Sequence, residues 1–354
     1  MPTDLRVHHL EMNRRRALGL LASGTLFALS GAPVSAAERL KGEALRKAFV
    51  KRFERPRVAL APEAGAVETK VGIVYEKWTI ASEAGQRVPL LIARAEGDSG
   101  RRPAVVGLHG LGGRKETMFP ALDGLVRRGF VAVALDARYH GDRAGDLAAA
   151  MIASFNNRKE RPYLWDTVWD TWRTLDYLET RSDIDSNRLG LMGISLGGHT
   201  TWMASADPRV KVAIPCISLC SWQWQLDHQG YTQRVKNLQR AFDGVKAALG
   251  QAEITPKVVA EAWRRWLPGI PYDCDCQDLL AAFAPRPLLA VNGDSDPVAP
   301  LEGVKEAWSV IESAYRKAGA AKNASLFVAE KSGHTITTAQ SEAILAWFSD
   351  HLRG

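Results

Sequence analysis

Cysteine is scarce in this 354-residue chain: there are four, Cys216, Cys220, Cys274 and Cys276. None of their spacings is Cys-x-x-Cys, which excludes the usual zinc and dithiol-redox signatures. The run "YDCDCQD" sets Asp273, Asp275 and Asp278 beside two of the thiols, but with no histidine nearby it reads as a polar loop rather than a metal site. No metal and no cofactor is expected. Spacing leaves open whether the thiols pair or stay reduced and buried. Charge of one sign is also missing: no basic block follows the first 37 residues, which argues against a nucleic-acid partner. Internal repeats and low-complexity tracts are absent, so the chain reads as globular.

What is present begins with an export pattern over residues 1–37. Arg14, Arg15 and Arg16 precede the apolar "ALGLLASGTLFALSG", which is short for a membrane span, and "PVSAAE" offers small residues at Val34, Ala36 and Ala37 for cleavage. "RRRALGLL" resembles a twin-arginine signal, implying an exported protein, periplasmic or extracellular, with no stable membrane anchor once the leader is removed. Cleavage there takes the net charge from +7 to +5. The 317 residues left are enough for one α/β domain with an insertion.

Residues 38–69 are polar and rich in Pro and Ala, and read as a lead-in with one helix. "KVGIVYEKWTI" and "RVPLLIARA" form a hairpin pattern. Six short apolar runs follow, at 103–110, 130–137, 188–193, 210–217, 287–293 and 324–330, of the kind that suits strands covered on both faces. Segments with apolar residues three and four apart separate most of them. The alternation predicts an α/β fold with a mostly parallel, doubly wound sheet of eight strands, counting the hairpin, with ligands at the carboxyl ends of the strands. The stretch 218–284 is too long for one crossover helix and is expected to form a helical lid before the penultimate strand.

The chemistry concentrates at those strand ends. "LGLMGISLGGHT" runs from a strand into a helix through Gly193-Ile194-Ser195-Leu196-Gly197. A serine held in a strained turn needs glycines two residues away on either side, and its oxygen then stands beside a helix N-terminus. A serine nucleophile needs a base. Of eight histidines, His334 in "EKSGHTIT" follows the last strand in a glycine-bearing loop; His199 sits on the helix that begins at the serine and cannot fold back to it. The base needs an orienting carboxylate, and "VNGDSDPVAP" offers Asp294 and Asp296 after the penultimate strand, one of which is expected only to cap backbone amides.

The order Ser195, Asp, His334 is that of the α/β-hydrolase triad. From about residue 70 to its end the chain resembles the α/β-hydrolase superfamily, and within it the secreted bacterial esterases of the acetyl xylan esterase and dienelactone hydrolase-like group. The likeness is carried by "LHGLGGRKE", "GISLGG", "APRPLLAVNGDSDPVAP" and "SGH". It implies a catalytic domain over 70–354 and selects Asp296, the third residue after Gly293, as the acid. It also implies an oxyanion hole made by the amide of Leu196 with that of Leu111 or Gly112. Dienelactone hydrolases proper carry a cysteine where this chain has Ser195.

The implied activity is carboxylic-ester hydrolysis through an acyl-enzyme, on short-chain or acetyl esters of small molecules or carbohydrates. Trp222 and Trp224 in the lid, with His140 in "RYHGDR", are candidates for substrate contact, although lid aromatics more often serve packing. Two other readings compete. A prolyl oligopeptidase-type peptidase shares the catalytic domain, but the chain leaves no room for its propeller. A non-catalytic binding protein on the same fold is expected to have lost a triad member or an elbow glycine.

Overall fold

The alternating faces of the short apolar runs decide the architecture. In the strand β4 (Arg102–Leu108), Ala104, Val106 and Leu108 enter one core while Val105 enters the other. In β5 (Val131–Leu135), Val131, Val133 and Leu135 likewise part from Ala132 and Ala134. A strand apolar on both faces must be covered on both faces, and helices do so here. A computed structural model describes residues 40–143 and 145–353; the leader expected over 1–37 lies outside them.

Among the described residues the sheet has nine strands, not eight. The remaining strands are β1 (Glu63–Lys70), β2 (Ile73–Glu83), β3 (Gln86–Ala95), β6 (Ile184–Ile194), β7 (Val210–Cys216), β8 (Leu288–Gly293) and β9 (Ala324–Ala329), in the order β1-β2-β3-β5-β4-β6-β7-β8-β9. The strands from β5 to β9 along that order are parallel, and β1, β2 and β3 extend the sheet antiparallel. The expected hairpin is β2–β3. The additional strand, β1, lies in the lead-in and is exposed at every residue, so it carries no apolar alternation by which to be read.

One face of the sheet is covered by α2 (Phe119–Val126) and, at the C-terminal end, by a long helix over Thr338–Leu352. The other face receives α1 (Gly42–Lys51), α3 (Leu147–Asn156), α4 (Tyr163–Thr180) and α5 (Leu196–Ala204). The insertion expected over 218–284 contains α6 (Trp222–Asp227), α7 (Thr232–Asn237), α8 (Gln239–Ala248), α9 (Pro256–Trp266) and α10 (Cys276–Ala281). A further helix, α11 (Leu301–Lys317), leads from β8 to β9, which makes the C-terminal helix α12. The helix α3 packs on α8 and α9 and so belongs to the lid, though it precedes the insertion by many residues. The four cysteines are buried free thiols. Among the described residues, no helix is long and apolar enough to cross a membrane.

The chain runs from β4 to β5 on one side of the sheet and returns to β6 on the other. Loops leaving β4 and β6 therefore diverge at their carboxyl ends, the place where open α/β sheets bind ligands.

Candidate active site

Ser195 occupies the joint between β6 and α5 with φ 55° and ψ −109°. A side-chain-bearing residue held at positive φ is strained, and the surrounding backbone leaves no slack to relax it. A Cβ on Gly193 would lie well inside contact distance of the Gly197 carbonyl, and one on Gly197 inside that of the Leu108 carbonyl. The turn therefore needs both glycines for close approach, and it lifts the serine above the strand ends.

His334 reaches the serine from the loop after β9: its Nε2 lies 2.8 Å from Ser195 Oγ, and its Nδ1 2.8 Å from Asp296 Oδ2. A carboxylate only accepts, so Nδ1 carries the proton and Nε2 presents its lone pair to the serine hydroxyl. Asp296 is buried, and its second oxygen accepts from the amides of Val298 (2.8 Å) and Ala299 (3.1 Å). The carboxylate is thus fixed by its own turn before it orients the ring.

Asp294, the other candidate, does not touch the histidine. Its oxygens accept from the amides of Lys331 (2.9 Å) and Ser332 (3.1 Å) and from Ser295 Oγ (2.8 Å). Those bonds, the Lys331 amide foremost, hold its carboxyl below the usual range. It braces the loop that carries His334.

The loop after β4 lies across the site. His109 Nε2 accepts from the Ala137 amide at 3.1 Å, which puts the proton on Nδ1 for donation to the Gly110 carbonyl at 2.8 Å. Burial, against the pull of that carbonyl, lowers its basicity and keeps the ring neutral. The Gly110 carbonyl also takes the Gly113 amide at 3.0 Å, closing a tight turn around Leu111 and Gly112. Leu111 and Leu196 both line the cavity that opens on Ser195, whereas Gly112 lines a separate surface depression with Tyr139 and His140. As the first residue of its helix, Leu196 has an amide with no intrahelical acceptor.

Residues 105–347 match the alpha/beta hydrolase family. The chain belongs to that family. "Putative hydrolase YtaP" of Bacillus subtilis (strain 168) is 26% identical over 251 residues, covering 67% of this chain and 74% of its own. "Putative esterase YitV" of the same organism is 23% identical over 274 residues, 75% of this chain and 96% of its own. Among solved structures, the acetyl xylan esterase from Paenibacillus sp. R4 superposes with a TM-score of 0.66 at 17% identity, covering 91% of this chain and 96% of its own. That last likeness is one of fold.

In this alpha/beta hydrolase a cavity of about 90 Å3 opens beside Ser195, room for a small part of a substrate. Of the three residues expected to touch substrate, only Trp222 lines it. Trp224 instead stacks on His228, ring centroids 4.6 Å apart, and faces the helix α11 near Gly303. His140 is turned away: its Nδ1 bonds the Arg138 carbonyl at 2.8 Å and its buried ring lies against that of His109. Both depart from the expectation because lid and loop side chains that border a site in sequence are used to pin their own segments.

Trp263 and Trp266, which the sequence offers among the lid aromatics, line the cavity beside Trp222, and three wall residues were not anticipated: Tyr163, His199 and Arg234. His199 had a readable signal, since it stands one helical turn beyond Ser195 and so on the same face. Arg234 had none: in "YTQRVKNLQR" it looks like any basic residue on a solvated helix.

Proposed function

We propose that the protein is a serine esterase, a carboxylic-ester hydrolase that works through an acyl-enzyme on Ser195. The observation that carries this reading is the continuous relay from Asp296 through His334 to a strained, cavity-facing serine, with 2.8 Å at both links. In the proposed cycle His334 Nε2 takes the hydroxyl proton as Ser195 Oγ attacks the ester carbonyl. Asp296 holds the imidazolium that forms, and the amides of Leu196 and Leu111 receive the developing oxyanion. The tetrahedral adduct collapses, and His334 returns the proton to the leaving alkoxide. Water then enters by the same route: His334 deprotonates it, the acyl group leaves as a carboxylic acid, and Ser195 regains its proton.

Structural relatives named as acetyl xylan esterases support a small acyl group as the starting assumption. The arginine block and apolar run of residues 14–31 support export across a membrane as the setting. Hydrolysis of p-nitrophenyl esters from acetyl to octanoyl tests the reading. Turnover that is highest on the shortest chains and lost in Ser195→Ala is expected. No turnover on any of them overturns it, and a maximum at octanoyl overturns the short-chain part.

A further inference from the structure

Arg234 is 7% exposed, lines the cavity that opens on Ser195, and has no carboxylate within ion-pair distance among the described residues. Its partners are neutral. Nε donates to Gln225 Oε1 at 2.8 Å, Nη1 lies 3.0 Å from His199 Nε2, and the guanidinium sits 4.4 Å above the centre of the Trp222 ring. The His199 nitrogen can serve as acceptor because burial, helped by the charge of Arg234, holds that ring well below its ordinary basicity and neutral. The third nitrogen, Nη2, is shielded from water and has no hydrogen-bond partner.

Arginine stays charged in proteins, and a buried charge is tolerated when paired. The nearest carboxylates are already engaged. Asp296 is held by His334 and two amides, and Asp275 accepts from Ser221 Oγ, the Gln223 amide and the Cys276 amide. Trp222 Nε1, on the side chain stacked under the guanidinium, is likewise buried without an acceptor. A cation in the cavity wall with no carboxylate of its own calls for an anionic, acceptor-only partner.

Resting on the esterase reading, we propose that the cavity selects esters that carry a free carboxylate, which supplies the charge partner that Arg234 lacks. The carboxylate belongs to either the acyl or the alcohol half of the substrate, since the cavity borders Ser195 and both halves radiate from the same carbonyl. A neutral ester in the same place leaves the guanidinium with only neutral partners, so the preference arises from a buried charge the protein does not itself neutralise.

The test compares matched pairs. Mono-p-nitrophenyl glutarate against p-nitrophenyl butyrate places the charge in the acyl half, and 4-acetoxybenzoate against phenyl acetate places it in the alcohol half. In the wild type, the anionic member of one pair is expected to have a kcat/KM about tenfold or more above its neutral partner, expressed mainly in KM. That ratio falls towards one in Arg234→Gln and is kept in part in Arg234→Lys. Hydrolysis that favours the neutral member of both pairs overturns the proposal and leaves the esterase reading standing. If no ester is hydrolysed, the esterase reading fails, and calorimetry of glutarate and benzoate with Ser195→Ala decides the carboxylate site. Binding that is lost in Ser195→Ala/Arg234→Gln supports the site, and no binding overturns it.

Discussion

At the scale of single residues, the site separates two aspartates two positions apart by what they face. Asp296 orients His334; Asp294 ties down the loop on which His334 rides. Asp296→Asn keeps the size of the side chain, but its amide can donate to Nδ1 and favour the wrong histidine tautomer. A loss of about 10^4-fold in kcat is therefore expected, with little change in melting temperature. Asp294→Asn is expected to cost far less activity and to show itself in loop mobility; steady-state kinetics of the two variants side by side separate the roles. Ser195 and His334 were legible in the sequence because an elbow flanked by two glycines and a histidine after the last strand are local patterns. The choice between Asp294 and Asp296 was open to residue-level reading and rested on family likeness, since both are turn carboxylates in "GDSD". Arg234 was illegible because its partners, Gln225 and His199, come together only through the tertiary fold.

At the scale of elements, two helices of the lid are joined through one cap, and that cap titrates. Asp275 caps α10, accepting from the Cys276 amide at 2.6 Å, and also receives Ser221 Oγ and the Gln223 amide at the start of α6. Burial pushes its carboxyl up to about 6, against the pull of those amides. Between the ordinary value of 3.8 and about 6 the folded protein keeps a proton that the unfolded chain has released. The Asp275 contribution to stability is thus complete below the lower value and is lost as pH rises through the upper one, by about 3 kcal/mol. Asp275→Asn lacks this titration, so melting curves from pH 4 to pH 7.5 should show the variant gaining on the wild type as pH rises. A constant difference contradicts the assignment. Elements differed in legibility for physical reasons. The central strands are apolar on both faces and announced themselves. β1 buries nothing, and α3, in "LAAAMIASFN", has small residues spread around it rather than one apolar stripe.

At the scale of the whole molecule, the site is assembled from segments far apart in the chain: the loops after β4, β6, β8 and β9, with α7 and α9 closing over them. Such a site is only as rigid as the two cores that hold the strand ends. The lead-in takes part in one of them. Phe53 is buried between Phe49, Trp165 and Trp172, with ring centroids 5.1 to 5.4 Å away. Phe53→Ala should cost about 3–5 kcal/mol in denaturant unfolding; an effect below about 1 kcal/mol would show the lead-in to be dispensable. The central claim, however, concerns Ser195 as a nucleophile activated by His334. Its most direct measurement is fluorophosphonate labelling followed by peptide mass spectrometry, on the wild type and on His334→Ala. The account predicts a single adduct, on Ser195, formed rapidly in the wild type and slowed by orders of magnitude in the variant. An unlabelled wild type, or an adduct on another residue, would contradict it.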